Sequence, residues 1–176
     1  MNKKFLQKNH ITKGNIISKF YFNLIYFLIS NLINYKNKLV LDFGGGLGFL
    51  EKKLIKKGAK VVVYDKVKEL SKVDDYRNIN FDIIIFCQVL MYIEEYNIIK
   101  IFNNIKLRNK NIIVITCFSQ QTLINKIFAF LLGHSKPHDD TVLFPKMENK
   151  IFNEFFIKIK EVNFYLFKII VSKSKK

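Results

Sequence analysis

The sequence contains little cysteine, proline or arginine. Its 176 residues include two cysteines and two prolines, and only Arg77 and Arg108 of the 30 basic residues are arginine. Because Cys87 and Cys117 are isolated, no disulfide framework is expected, which fits a reducing compartment. Proteins that bind phosphates usually use arginine forks as well as lysine. The net charge of +16 therefore indicates a solvated lysine-rich surface more than a nucleic-acid partner.

A secretory signal peptide is also missing, and with the cysteine usage this predicts a cytoplasmic protein. Residues 16–33 are apolar over nearly the length of a bilayer span. However, Lys19, Asn23, Ser30 and Asn34 recur at helical spacing and form a narrow polar stripe. We expect a helix that is buried against the protein on most of its circumference. Peripheral contact with a membrane through residues 16–33 is the alternative.

Apolar runs typical of buried strands alternate with helical patterns along the chain. The pattern predicts strands at 38–43, 60–64, 81–87 and 111–117, each followed by a helical stretch, at 48–57, 67–73, 93–105 and 120–132. This alternation predicts an α/β fold with a doubly wound, Rossmann-like and mostly parallel sheet.

The end of the chain follows a different pattern. A helix is predicted to end at 152–156, and strands at 157–162 and 167–172 are joined by a short loop. That spacing predicts a C-terminal antiparallel β-hairpin. We expect one domain over 1–176, with residues 1–37 as an N-terminal helical cap and 38–176 as the Rossmann-like core.

A glycine-rich turn follows the first predicted strand, in the stretch VLDFGGGLGF. It matches neither the dinucleotide pattern G-x-G-x-x-G nor a Walker loop. The pattern present is D-x-G-x-G-x-G, formed by Asp42, Gly44, Gly46 and Gly48, with Gly45 as an extra glycine. Glycine lets a ligand approach the main chain, and open α/β sheets bind ligands at the carboxyl ends of their strands. The turn is therefore the predicted binding site.

Three segments of the chain resemble the first, second and fourth signature segments of class I S-adenosyl-L-methionine-dependent methyltransferases. They are the glycine turn, residues 58–65 (GAKVVVYD) and residues 81–90 (FDIIIFCQVL). The resemblance covers about residues 39–117. The N/D-P-P-Y/F motif of enzymes that methylate adenine or amides is absent after the last segment. The sequence is more similar to the small-molecule, type 11-like branch of the family.

The resemblance implies that the cofactor is S-adenosyl-L-methionine. It implies that Asp42 holds the ammonium group of the cofactor and that Asp65 accepts its ribose hydroxyls. Taken singly, each aspartate would more often close a strand-end turn or cap a helix than bind a ligand, and its place beside the glycine turn favours binding. The cofactor-binding residues implied by the resemblance are Asp42, Gly44, Gly45, Gly46, Gly48, Asp65 and Gln88.

The chain departs from the family after Asp65. Only residues 66–80 separate it from the next strand, where the family places a helix, a third strand and a loop with an acidic residue near the adenine. We expect a shortened third-strand region. Asp74 or Asp75 is the candidate for the adenine, and an exposed turn is the alternative.

Two histidines are the candidates for a general base. His134 and His138 lie with Asp139 and Asp140 in a loop expected over the carboxyl edge of the sheet. A plain polar surface loop is the alternative. Pro137 interrupts the H-x-x-x-H spacing, so no metal site is predicted.

The function predicted from the sequence is transfer of a methyl group to a small-molecule or lipid-linked acceptor. Tyr92 is a candidate for the acceptor pocket or for packing in the following helix. The alternatives are an RNA methyltransferase, which the positive charge suggests, and a non-catalytic methyltransferase-like binding protein, which the shortened third-strand region suggests.

Overall fold

The protein is described from a computed structural model, which covers residues 16–108, 111–120 and 145–175. Single 3-10 turns lie at Tyr76–Asn78 and Leu90–Tyr92. The helices are α1 (Ile16–Ile29), α2 (Phe49–Lys56), α3 (Glu95–Arg108) and α4 (Pro145–Phe155). The strands are β1 (Leu39–Phe43), β2 (Lys60–Tyr64), β3 (Ile83–Cys87), β4 (Ile113–Ser119), β5 (Phe156–Asn163) and β6 (Phe167–Ser174).

The six strands form one sheet in the order β2-β1-β3-β4-β6-β5. Strand β1 pairs in parallel with β2 and β3, and β3 pairs in parallel with β4. Strand β6 runs antiparallel to both β4 and β5. The predicted mostly parallel sheet with a C-terminal antiparallel hairpin is therefore confirmed.

Helices cover both faces of the sheet. On one face, α1 and α2 contribute Ile25, Ile29 and Leu54 to a buried cluster. On the other face, α3 and α4 contribute Phe102 and Phe152 to a second cluster. Because both faces are buried, the central strand β3 carries apolar side chains along its whole length, as parallel strands in doubly wound folds do.

Strand β2 forms one edge of the sheet because no third strand follows it. The segment between β2 and β3 contains only turns, which confirms the shortened region. The helix predicted at 67–73 is wrong. Residues 67–71 form only a hydrogen-bonded turn. The next N–H, that of Lys72, donates to the Val63 carbonyl on the edge of β2 and so does not continue a helix. The Ser71 hydroxyl then donates to the Val73 carbonyl, and these bonds hold the segment along the strand edge.

Helix α1 is partly as predicted from its polar stripe. Lys19 and Asn23 are exposed, whereas Ser30 is buried and its hydroxyl donates to the Phe27 carbonyl. The outward face also carries Phe20 and Phe27, which are 70% and 58% exposed. The helix is therefore less covered than expected. Within the described ranges, no helix has the length and apolar character needed to span a membrane.

Candidate cofactor site

The glycine turn joins β1 to α2 at the carboxyl edge of the sheet. Gly44, Gly46 and Gly48 have φ angles of 74°, 54° and 70°, in the left-handed region where glycine is favoured. The Gly44 N–H donates to the Tyr64 carbonyl at 2.7 Å, which fixes the start of the turn against the end of β2. Gly48 is the N-cap of α2.

Most of the glycines are required by the protein's own side chains. A Cβ atom at Gly44 would overlap the side chain of Val89, and one at Gly45 would lie 2.7 Å from Cγ of Asp42. At Gly48 it would lie 2.6 Å from Oε2 of Glu51. Gly46 differs, because a Cβ there would have no neighbour within 4 Å. The turn is thus packed against the protein's own side chains at Gly44, Gly45 and Gly48. It is open at Gly46, where a ligand has access to the main chain.

Asp42 lies beneath this turn with its charge uncompensated. It is 1% exposed, and among the residues that the structure describes neither carboxylate oxygen has a hydrogen-bond partner. Burial raises its pKa to about 7, and the neighbouring carboxylates of Glu51 and Asp65 add to the effect. Buried carboxylates are normally paired, because an unpaired one is costly. This carboxylate is therefore suited to a ligand that brings a positive charge or strong donors.

Asp65 reaches the same turn from the end of β2. Its Oδ2 accepts from the Gly46 N–H at 3.1 Å, and its Oδ1 accepts from the Val67 N–H at 3.0 Å. Each carboxylate oxygen can accept more than one hydrogen bond, so both retain capacity for ligand hydroxyls. The structure thus brings Asp65 to the open glycine, Gly46, although the two are 19 residues apart in the sequence.

Glu51 is a third acidic group at the turn, and the sequence reasoning missed it. It lies in the first turn of α2, is 7% exposed, and pairs with the ammonium of Lys72. Acidic residues are common in the first turn of a helix, because they interact favourably with the helix dipole. Glu51 therefore did not stand out in the sequence as a candidate site residue. Lys72 comes from the segment that replaces the third strand.

A cavity of about 590 Å³ extends from Asp65 along the edge of β2. Asp74 lines it, whereas Asp75 accepts from the Arg77 N–H and caps the 3-10 turn. Of the two candidates for the adenine, Asp74 is thus the one in the cavity lining, and its role stays a prediction. The lining residues are Tyr64, Asp65, Lys66, Lys68, Ser71, Lys72, Val73 and Asp74.

Gln88 follows β3 in an unusual conformation, with a φ of 53°. Its N–H donates to the Cys117 carbonyl, and its side-chain amide donates to the Tyr21 hydroxyl of α1 at 2.5 Å. The next residue, Val89, is the one that packs on Gly44. Gln88 thus links α1 to the strand end, and the segment after β3 meets the glycine turn through Val89.

Comparison with solved structures places this arrangement in a known fold. The chain superposes on the PH0226 protein from Pyrococcus horikoshii with a TM-score of 0.71 and 19% identity, covering 99% of this chain and 100% of that one. It superposes on magnesium protoporphyrin IX methyltransferase from Synechocystis, solved with bound S-adenosylhomocysteine, with a TM-score of 0.58 and 18% identity. That match covers 87% of this chain and 81% of the other.

This chain has the fold of the class I S-adenosyl-L-methionine-dependent methyltransferases. A third match, the pyocyanin biosynthetic protein PhzM, has a TM-score of 0.68 and 14% identity over 87% of this chain. The chain spans about half of PhzM, 55% of its length. No protein-family model matches the sequence, and no curated protein matches it. The methyltransferase fold is thus shown by structure at low sequence identity.

The histidine loop and Tyr92 are the remaining residues predicted from the sequence. His134 and His138, with Asp139 and Asp140, lie outside the described residues. Tyr92 lies in the 3-10 turn after β3 and is 43% exposed. The part of the chain that the structure describes contains no cluster of three or more potential metal ligands.

Proposed function

We propose that this chain binds S-adenosyl-L-methionine at the glycine turn and transfers its methyl group to a small-molecule or lipid-linked acceptor. The observation that carries the proposal is Asp42, a buried carboxylate that no described residue pairs with, beneath a turn that is open at Gly46. The methyltransferase fold adds support, since a relative of that fold was crystallised with S-adenosylhomocysteine.

The residues present fit the chemical groups of this cofactor. Asp42 would hold the ammonium group of its amino acid end, directly or through water, and Asp65 would accept the ribose hydroxyls while it remains bonded to Gly46. Asp74, which lines the same cavity as Asp65, would contact the adenine. When bound, the cofactor supplies an activated methyl group on a positively charged sulfur.

The protein's own contribution to such a reaction is positioning and exclusion of water. Methyl transfer is an in-line displacement at carbon and needs no nucleophilic side chain from the protein. The rigid turn would fix the cofactor, and α1, fastened through Tyr21 and Gln88, would close one side of the reacting region. His138 and His134 remain the proposed bases for an acceptor that must lose a proton.

The lipid-linked form of the acceptor is supported by the outward face of α1. Ile16, Phe20 and Phe27 are 83%, 70% and 58% exposed there, with Lys19 beside them. An apolar face with a flanking cation is typical of helices that lie in a membrane interface. Peripheral membrane contact would bring the site close to a lipid-linked acceptor.

Cofactor binding is tested by thermal unfolding with S-adenosylhomocysteine. A ligand at 100 times its Kd stabilises a folded protein by about 2.7 kcal/mol, which for a domain of this size raises Tm by roughly 5–10 °C. We expect that rise in the wild type and none in Asp42→Asn. An unchanged Tm at saturating ligand in the wild type would instead support the non-catalytic alternative.

The RNA methyltransferase alternative makes a separate prediction. Lys66, Lys68 and Lys72 line the cavity next to Asp65, and phosphate contacts by lysine make binding fall steeply with salt. Filter binding of an unstructured RNA across a salt series distinguishes the two proposals. Tight and steeply salt-dependent binding would favour RNA as the acceptor, and undetectable binding would remove it.

A further inference from the structure

The only two cysteines of the chain, Cys87 and Cys117, face each other across neighbouring strands. They are register partners in the parallel pairing of β3 with β4. Neighbouring strands lie about 4.8 Å apart, and disulfides join Cα atoms that are about 4.4–6.8 Å apart. The backbone spacing is therefore within the range that a disulfide requires.

As register partners on adjacent strands, the two side chains also point to the same face of the sheet. Cys117 belongs to the buried cluster beneath α1, and Cys87 packs against that cluster. The nearby thiol of Cys117, together with burial, raises the pKa of Cys87 well above its ordinary value. Cys117 is 3% exposed, whereas Cys87 is only partly buried. Cys87 is therefore the less buried residue of the pair.

We propose that Cys87 and Cys117 form a redox-active dithiol that closes to an intramolecular disulfide when a low-molecular-weight disulfide oxidises the protein. Cys87 loses its proton to solvent, attacks a sulfur of the oxidant and releases one small thiolate. Cys117 then loses its proton, attacks the Cys87 sulfur and releases the second thiolate. The protein gives up two protons and two electrons, and the oxidant becomes two thiols.

The position of the pair links this chemistry to the candidate site. Cys87 is the last residue of β3, so its backbone is followed directly by Gln88 with its positive φ. The Gln88 N–H donates to the Cys117 carbonyl, and Val89 packs on Gly44 of the glycine turn. Drawing the two sulfurs together therefore acts on the segment that supports the turn. We expect the oxidised protein to bind S-adenosylhomocysteine more weakly, an effect that rests on the proposed function.

The test uses the full chain, glutathione disulfide as the oxidant, and intact mass after alkylation of free thiols. At about pH 9, where more of the Cys87 thiol is ionised, we expect the wild type to lose two hydrogen atoms and both alkylation sites, reversibly with dithiothreitol. Cys117→Ser should stop as a stable glutathione adduct on Cys87. Cys87→Ser should remain unmodified, because the thiol of Cys117 is buried. Cys117→Ala replaces the serine variant if that one does not fold.

Three results would overturn the dithiol. They are a wild type that retains the glutathione adduct, a wild type that forms only disulfide-linked dimers, and a wild type that keeps both thiols under these conditions. The coupling to the site is read separately by titrating reduced and oxidised protein with S-adenosylhomocysteine. Equal affinities would overturn the coupling and leave the disulfide standing. Failure of the reduced protein to bind at all would count against the proposed function, while the mass measurement still decides the disulfide.

Discussion

Replacing Asp42 by asparagine removes a buried negative charge that none of the described side chains compensates. The carboxyl is 1% exposed and has no hydrogen-bond partner, and burial, then Glu51 and Asp65, raises its pKa to about 7. In the unfolded chain it titrates at about 3.9. Between these two pH values, the folded state therefore keeps a proton on Asp42 that the unfolded state has lost.

This difference fixes the sign and the size of the expected effect. Stability falls as pH rises wherever the folded state holds more protons, at about 1.36 kcal/mol per pH unit for one group. Between about pH 5 and pH 8 the wild type should lose about 3 kcal/mol through Asp42, and it should lose little more above that. Asp42→Asn lacks this loss. Its advantage over the wild type should thus be about 3 kcal/mol larger at pH 8 than at pH 5.

The assay is guanidinium unfolding of both proteins at the two pH values. Only the change with pH is compared, so the intrinsic cost of a buried amide cancels. Thr116→Val is the matched control, because Thr116 is also fully buried with an unpartnered hydroxyl on the same sheet but does not titrate. Its effect should be the same at both pH values. An Asp42→Asn effect that is equally independent of pH would refute the reasoning.

Three further predictions concern packing and surface. Gly44→Ala should cost more than the roughly 1–2 kcal/mol of the left-handed conformation, because the new methyl group overlaps Val89. The excess should shrink in a Val89→Ala background, which removes the closest Val89 atom but keeps its Cβ, and an equal cost in both backgrounds would contradict the packing. Phe102→Ala should cost about 3–5 kcal/mol in chemical unfolding, since its ring is fully buried against several others, and a cost under about 1 kcal/mol would contradict that packing. Phe20→Ser with Phe27→Ser should reduce cosedimentation with anionic liposomes at low salt without lowering Tm, and unchanged cosedimentation would argue against the membrane-facing helix.

The parts of the fold that the sequence predicts are those decided by local pattern. Strand β2 begins and ends at the predicted residues, Lys60 and Tyr64. A β-branched run bounded by Gly58 and Asp65 is typical of a short strand, so its limits can be predicted from the sequence. Two apolar runs joined by a short loop likewise predict the antiparallel hairpin of β5 and β6. The glycine turn followed from backbone conformations that only glycine adopts readily.

The parts that were missed depend on contacts between distant segments. The segment 67–73 has a helical pattern, but the Lys72 N–H donates to the Val63 carbonyl on the edge of β2 instead of continuing a helix. The pairing of Glu51 with Lys72 depends on the same hydrogen bond, and no local sequence pattern predicts it. The link between Tyr21 and Gln88 joins residues 67 positions apart and requires the final placement of α1 on the sheet.

Calorimetric titration with S-adenosylhomocysteine tests the central claim most directly. The account predicts a Kd on the order of micromolar for the wild type. Asp65→Ala should lose this binding, whereas Asp75→Ala, which removes a cap outside the cavity lining, should retain it. Circular dichroism of each variant confirms that it is folded. Absence of binding heat from a well-folded wild type at several temperatures would contradict the claim that the glycine turn is a cofactor site.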